Sequence, residues 1–115
     1  MKQKQILFSG NRQKHLVAIN DIVLIKADNV YSYVFLANGS SFLVSDTISN
    51  IELQISSNVF YRTHRSYLLN LNFIDIYRKA DKKVLVKHHE LVVPIARDKC
   101  KDFENTLNKL FLVKR

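Results

Sequence analysis

A chain of 115 residues, 47% hydrophobic with seven Phe and five Tyr, has the material for the core of one domain, and with only two Gly and one Pro it is neither low-complexity nor disordered. A single cysteine, Cys100, excludes an internal disulfide; no apolar run spans a bilayer, and Met1-Lys2-Gln3-Lys4-Gln5 leads into only three apolar residues, too few for a signal-peptide core, so a cytoplasmic location is expected. The net charge of +8 is uneven: Tyr61 to Lys101 carries ten Lys and Arg against four acidic residues, which favours a polyanion over an acidic small molecule as partner.

In chain order, Ile6-Leu7-Phe8 reads as a short strand, Ser9-Gly10-Asn11 as a turn, and His15 to Ala18 as the hairpin partner. Ile19-Asn20-Asp21-Ile22 is a tight connection in which Asn20 and Asp21 can bond their own backbone. The continuous run Ile22-Val23-Leu24-Ile25 predicts a strand covered on both faces. Ala27-Asp28-Asn29 breaks it, Tyr31 to Leu36 forms the next strand, and Asn38-Gly39 signals a type I′ hairpin before Ser41 to Val44. Ser45-Asp46-Thr47 offers N-caps to a short helix whose apolar stripe is Ile48, Ile51 and Ile55. Beyond it, Leu68-Leu69, Phe73 to Tyr77, Val84 to Val86 and Leu91 to Val93 read as strands, with Arg78 to Lys83 a charged turn and Pro94 marking a strand end or edge. From Asp98 onward, Cys100, Phe103, Leu107, Leu110 and Phe111 follow helical spacing, with Asp102 and Glu104 near the start and Lys109 near the end suiting the macrodipole. The expectation is eight or nine short, mainly antiparallel strands with a short middle helix and a C-terminal helix, a mostly β fold.

The stretch Phe60-Tyr61-Arg62-Thr63-His64-Arg65-Ser66-Tyr67-Leu68-Leu69-Asn70 concentrates the chemistry. Strict strand alternation would send Arg62 and His64 to one face and Tyr61, Thr63 and Arg65 to the other. Two guanidinium groups and an imidazole so close together repel one another unless an anion arrives, and the leucines that follow anchor them to a core. A fixed basic edge suits a nucleic-acid backbone; a solvated strand end is the plainer reading.

These residues resemble the LytTR DNA-binding domain of bacterial response regulators. The likeness rests on Asp21 to Tyr31, on Asn38-Gly39 through Asp46-Thr47-Ile48, on the Arg-x-His-Arg-Ser segment with its flanking aromatic, aliphatic pair and Asn70, and on Val93-Pro94-Ile95-Ala96-Arg97. The resemblance covers nearly the whole chain, so a single domain over 1–115 is expected; no receiver domain precedes the motif, which fits either a lone domain or a fragment of a longer regulator. It implies a compact β-rich fold whose loops, not a recognition helix, enter the major groove of double-stranded DNA at paired direct repeats, with a homodimer forming on the DNA. It also implies transcriptional regulation as the output of a two-component system. Carried across by position, the DNA-contacting places are the turn from Asn29 to Ser32, the segment of Arg62, His64 and Arg65, and Arg97. Asn29 and Ser32 are shorter than the base-reading side chains that some members place there.

Arg65 and Arg97 are the best candidates for base contact, because a guanidinium spans guanine O6 and N7 with two bonds; Asn29 and Ser32 complete the base-contacting set. Arg62, His64, Lys99 and Lys101 are assigned to phosphates, which set register and not sequence. His64 equally suits bracing the loop, as do Ser66 and Asn70. Tyr31 and Tyr67 read as core aromatics with one wet end, and Cys100 as a small buried hydrophobe. No enzyme is expected. His88 and His89 would be neighbours on a strand, facing opposite ways and unable to share a metal, and no phosphate-cradling Gly loop exists. No cofactor, metal or membrane partner is implied. The rival readings are a non-specific single-stranded nucleic acid or RNA binder using exposed aromatics, and a module whose basic face meets an acidic protein.

Overall fold

The computed structural model describes residues 4–114; Met1, Lys2, Gln3 and Arg115 lie outside it, and with them part of the N-terminal stretch read above. The first strands are β1 (Gln5–Ser9), β2 (Lys14–Ala18), β3 (Ile22–Asp28), β4 (Tyr31–Leu36) and β5 (Ser41–Val44), followed by helix α1 (Ile48–Gln54). Then come β6 (Phe60–His64), β7 (Tyr67–Asn70), β8 (Ile74–Arg78), β9 (Lys83–Val86), β10 (Val92–Pro94) and helix α2 (Cys100–Leu110). The described residues thus hold ten strands where eight or nine were expected, all paired antiparallel, and two α-helices.

The Ile22-Val23-Leu24-Ile25 run is the centre of the molecule. Its strand, β3, is the middle member of a five-stranded sheet of order β5-β4-β3-β7-β6. All four residues of the run are fully buried. A β-bulge opposite Leu36 and Phe35 is the reason both faces are served: it breaks the alternation so that Ile22 and Ile25 face one core while Val23 and Leu24 face the other. The β1–β2 hairpin and α1 cover the first face. The three-stranded sheet β10-β9-β8 and α2, with Phe103 at its centre, cover the second.

Local chemistry sets the connections. Thr47 caps α1 by accepting from the Asn50 amide. The Asn38-Gly39 hairpin is present but is not type I′, since only Gly39 (φ 90°) has positive φ there. The Gly39 amide donates to the Leu36 carbonyl and the Leu36 amide to that of Ser40, a turn closed by a left-handed glycine, with Asn38 Oδ1 accepting from the Ser40 amide. Pro94 lies on an edge strand, where its missing donor costs nothing. His88 and His89 lie on the turn after β9, not on a strand. His88 has φ 73° and rests against Phe73, while His89 Nε2 donates to the Leu36 carbonyl at 2.7 Å.

A second bulge falls in β6, between Arg62 and His64. It overturns the strict alternation read from the sequence. Arg62 pairs with Leu68 of the first core and reaches Glu52 of α1, whereas His64 pairs with Tyr67, which packs on the second core. Thr63, the extra residue, is fully buried.

Candidate nucleic-acid interface

Three turns meet at one end of the central sheet, and two backbone hydrogen bonds join them. The Ala27 amide at the end of β3 donates to the Ser66 carbonyl in the β6–β7 turn at 2.8 Å. The Ala96 amide donates to the carbonyl of the bulged Thr63 at 2.7 Å. These bonds bring the Asn29 turn, the Arg65 turn and the segment leading into α2 into one neighbourhood. A bulge leaves its extra residue outside the strand ladder, and here the spare carbonyl is what ties Arg97 to Arg65.

Arg65 and Arg97 are both exposed, and neither guanidinium meets a carboxylate or a hydrogen-bond partner among the described residues. Arg97 opens a 3₁₀ turn (Arg97–Lys99) that runs into α2. That turn is fastened from below: the Tyr61 hydroxyl donates to Asp102 Oδ2 at 2.7 Å and also approaches the Lys99 carbonyl at 3.4 Å. Burial first, and then the Asp102 bond and charge, raise the Tyr61 phenol well above its usual pKa. Cys100 is half-buried against the second core, its Sγ 3.6 Å from the Ala96 carbonyl.

Asn29 is exposed at the tip of the β3–β4 turn with φ 57°, a conformation Asn tolerates better than most residues. Ser32 does not belong with it. Its side chain is fully buried and its hydroxyl donates to the Asp46 carbonyl at 2.8 Å, so it presents nothing to a groove, and the expected base contact is withdrawn. Tyr31 is exposed, not a core aromatic.

Arg62 is also reassigned. Its Nη1 bonds Glu52 at 2.7 Å, its Nε lies 3.2 Å from the carbonyls of both His64 and Arg65, and its Nη2 donates to the Arg65 carbonyl. With the side chain 18% exposed, the guanidinium is spent inside the protein, bracing the turn that carries Arg65. Three of its five N–H groups are engaged in this way, two of them on carbonyls of the turn itself. His64 Nδ1 accepts from the Ser66 amide at 3.1 Å, which places the ring proton on Nε2 and leaves that edge as a donor. Asn70 braces the far end as read, its Nδ2 donating to the Ile22 carbonyl and its Oδ1 accepting from Asn72. Lys99 lies with Nζ 6.0 Å from the Tyr61 ring centroid, and Lys101 is exposed on the first turn of α2.

This arrangement presents unpaired guanidinium groups on braced turns beside the half-buried Lys99 and the exposed Lys101. No three His, Cys, Asp or Glu side chains among the described residues group to hold a metal, and no helix among them is long and apolar enough to cross a membrane.

The family model described as the LytTr DNA-binding domain matches residues 12–108. The chain belongs to the LytTr DNA-binding domain family. Membership makes it a DNA-binding domain and leaves the specificity to its own residues. A solved LytTr DNA-binding domain from Bacillus cereus superposes with a TM-score of 0.76 at 16% identity, covering 92% of this chain and 98% of that one, which bears on the fold alone. An uncharacterized response regulatory protein of Vibrio cholerae is 27% identical over 93 residues, 77% of this chain and 36% of the relative. The sensory transduction protein LytT of Enterococcus faecalis is 26% identical over 108 residues, 92% of this chain and 44% of the relative. The chain therefore spans less than half the length of either curated relative.

Within this LytTr domain, two residues beside the interface escaped the sequence reading. Lys26 lies with Nζ 5.9 Å from the Tyr67 ring centroid, and Tyr33, its neighbour on β4, is partly exposed. Only strand register relates them to the Arg65 turn, and that register is set by pairing between distant segments.

Proposed function

We propose that the domain binds double-stranded DNA sequence-specifically and regulates transcription as the output domain of a two-component response regulator. Arg65 and Arg97 read base edges in the major groove, each able to span guanine O6 and N7. Asn29 adds a shorter-range contact from the first turn. His64 Nε2, Lys99 and Lys101 hold phosphates and set register. The observation that carries this reading is the pair of backbone bonds, Ala27 to Ser66 and Ala96 to Thr63, which hold two unpaired arginines on braced turns at one end of the sheet. Two copies bind paired direct repeats, as a dimer assembled on the DNA.

Selection of bound duplexes from a random pool tests it. The expected result is a motif repeated in the same orientation, with half-sites about 10–10.5 bp apart, one helical turn. Recovery of no motif, with equal retention of single strands, would favour the second reading, a non-specific single-strand or RNA binder. That alternative draws support from the exposed rings of Tyr31 and Tyr33.

A further inference from the structure

The second core does not use up the sheet face on which it rests. On that face Leu24 is in register with Phe35 on one side and Leu69 on the other, and this row lies beneath the β8–β10 layer and α2. Two residues along each strand, alternation brings a further row to the same side. Tyr33, Lys26, Tyr67 and His64 are successive register partners across β4, β3, β7 and β6. Tyr33 is 38% exposed, so the second layer stops short of it. The Tyr67 ring holds the centre: Lys26 Nζ lies 5.9 Å from its centroid, and the His64 ring meets it edge-on at 5.8 Å. Lys26 has no carboxylate partner among the described residues. One end of the row runs into the Arg65 turn. Asp28, two residues beyond Lys26 on the same face, bounds it toward the Asn29 turn.

We infer that this row is a phosphate-tracking strip for the duplex, with the Lys26 ammonium and the Tyr33 hydroxyl on the backbone of the DNA whose bases Arg65 and Arg97 read. The inference rests on the DNA-reading assignment above and extends it to two residues outside the turns. A lysine whose ammonium already sits over an aromatic ring is held near one position and loses less freedom on contact. A tyrosine hydroxyl donates to a phosphate oxygen without adding charge, so the two residues leave different signatures.

The experiment titrates the full chain with a duplex selected from a random pool and with a short random-sequence duplex, each over a salt series. Lys26→Gln should weaken both duplexes alike and reduce the log–log salt slope by about 0.9, the loss of one phosphate neutralised. Lys26→Arg should restore the slope. Tyr33→Phe should weaken both duplexes with the slope unchanged. Lys109→Gln, near the far end of α2, should leave slope and affinity as they were. Lys26→Met, an unbranched side chain without the charge, replaces Lys26→Gln if that variant melts early. An unchanged slope and affinity in Lys26→Gln, with site preference still lost in Arg97→Ala, overturns the strip and leaves the DNA reading standing. Parental binding in both Lys26→Gln and Arg97→Ala overturns the two together.

Discussion

Arg62 bridges Glu52 of α1 to the carbonyl of Arg65, so a residue that looks like a phosphate ligand is the brace of the turn beside it. The consequences of cutting the brace at its two ends differ. Glu52 is 43% exposed, and an ion pair so open to water contributes up to about 1 kcal/mol, so Glu52→Gln should cost no more than that. Arg62→Ala also strips the donors from the His64 and Arg65 carbonyls and should cost about 1–3 kcal/mol. Urea denaturation of the two variants checks the ordering. On DNA, Arg62→Ala should blunt preference between selected and random duplexes while leaving the salt slope near its parental value. A slope reduced by a full phosphate would return Arg62 to the backbone-contacting set.

Arg65 and Arg97 are the side chains for which a difference between sequences is expected. Each bidentate pairing with guanine is worth about 1–3 kcal/mol of discrimination. Arg65→Ala and Arg97→Ala should therefore each lose roughly that much preference for a selected duplex over a random one. Both side chains are exposed and unpaired among the described residues, so thermal melting should shift little. Lys101→Ala should weaken selected and random duplexes equally. Equal loss of preference in Lys101→Ala would contradict the division between reading and holding.

Much of this was legible in the sequence because the signals were local. The Ile22 to Ile25 run, the Thr47 cap, the apolar stripe of α1 and the Arg-x-His-Arg-Ser segment each carry their own physics within a few residues. What was not legible was set by distant partners. Tyr31 reads as a core aromatic and Ser32 as a DNA contact, yet in Tyr31-Ser32-Tyr33-Val34 it is Ser32 and Val34 that are inside and both tyrosines that are outside. The serine is admitted because the Asp46 carbonyl, fourteen residues on, accepts its hydroxyl proton. The bulge at Thr63 is equally hidden. It depends on pairing with β7 and on the Ala96 amide, thirty-three residues away, and it alone separates the roles of Arg62 and His64.

That same bulge carries a stability prediction. Thr63 is fully buried, and its Oγ1 has no hydrogen-bond partner among the described residues. An unpaired buried hydroxyl costs about 1–3 kcal/mol on mutational scales, and valine matches the shape of threonine without it. Thr63→Val should be neutral or stabilising, against the usual sign for a core substitution. The Thr63 carbonyl, which holds Ala96, is main chain and survives the change, so duplex preference should persist. A lower denaturation midpoint with unchanged m-value would mean that the hydroxyl has a partner, such as an internal water.

Acid should loosen the fastening of α2 to the second sheet. The Tyr77 hydroxyl donates to Glu104 Oε2 at 2.8 Å, and Lys79 Nζ lies 3.3 Å from Oε1. The Tyr77 bond, with a smaller contribution from Lys79, holds the Glu104 carboxyl below its ordinary 4.5, against a partial offset from desolvation. Because the folded value lies below the unfolded one, the stabilisation is complete above the unfolded value and is lost as pH falls through the folded value. At the alkaline end, burial and then the Glu104 bond raise the Tyr77 phenol above its usual 10, so its share persists below about 10 and fades as pH rises beyond it. Denaturation midpoints across an acid series should therefore fall more steeply below the ordinary glutamate range in the parent than in Glu104→Gln. Tyr77→Phe should flatten that acid slope and also remove one late-titrating phenol from the alkaline absorbance change. Parallel acid slopes in the parent and Glu104→Gln would show that α2 is held by its Phe103 packing, with this bond contributing nothing measurable.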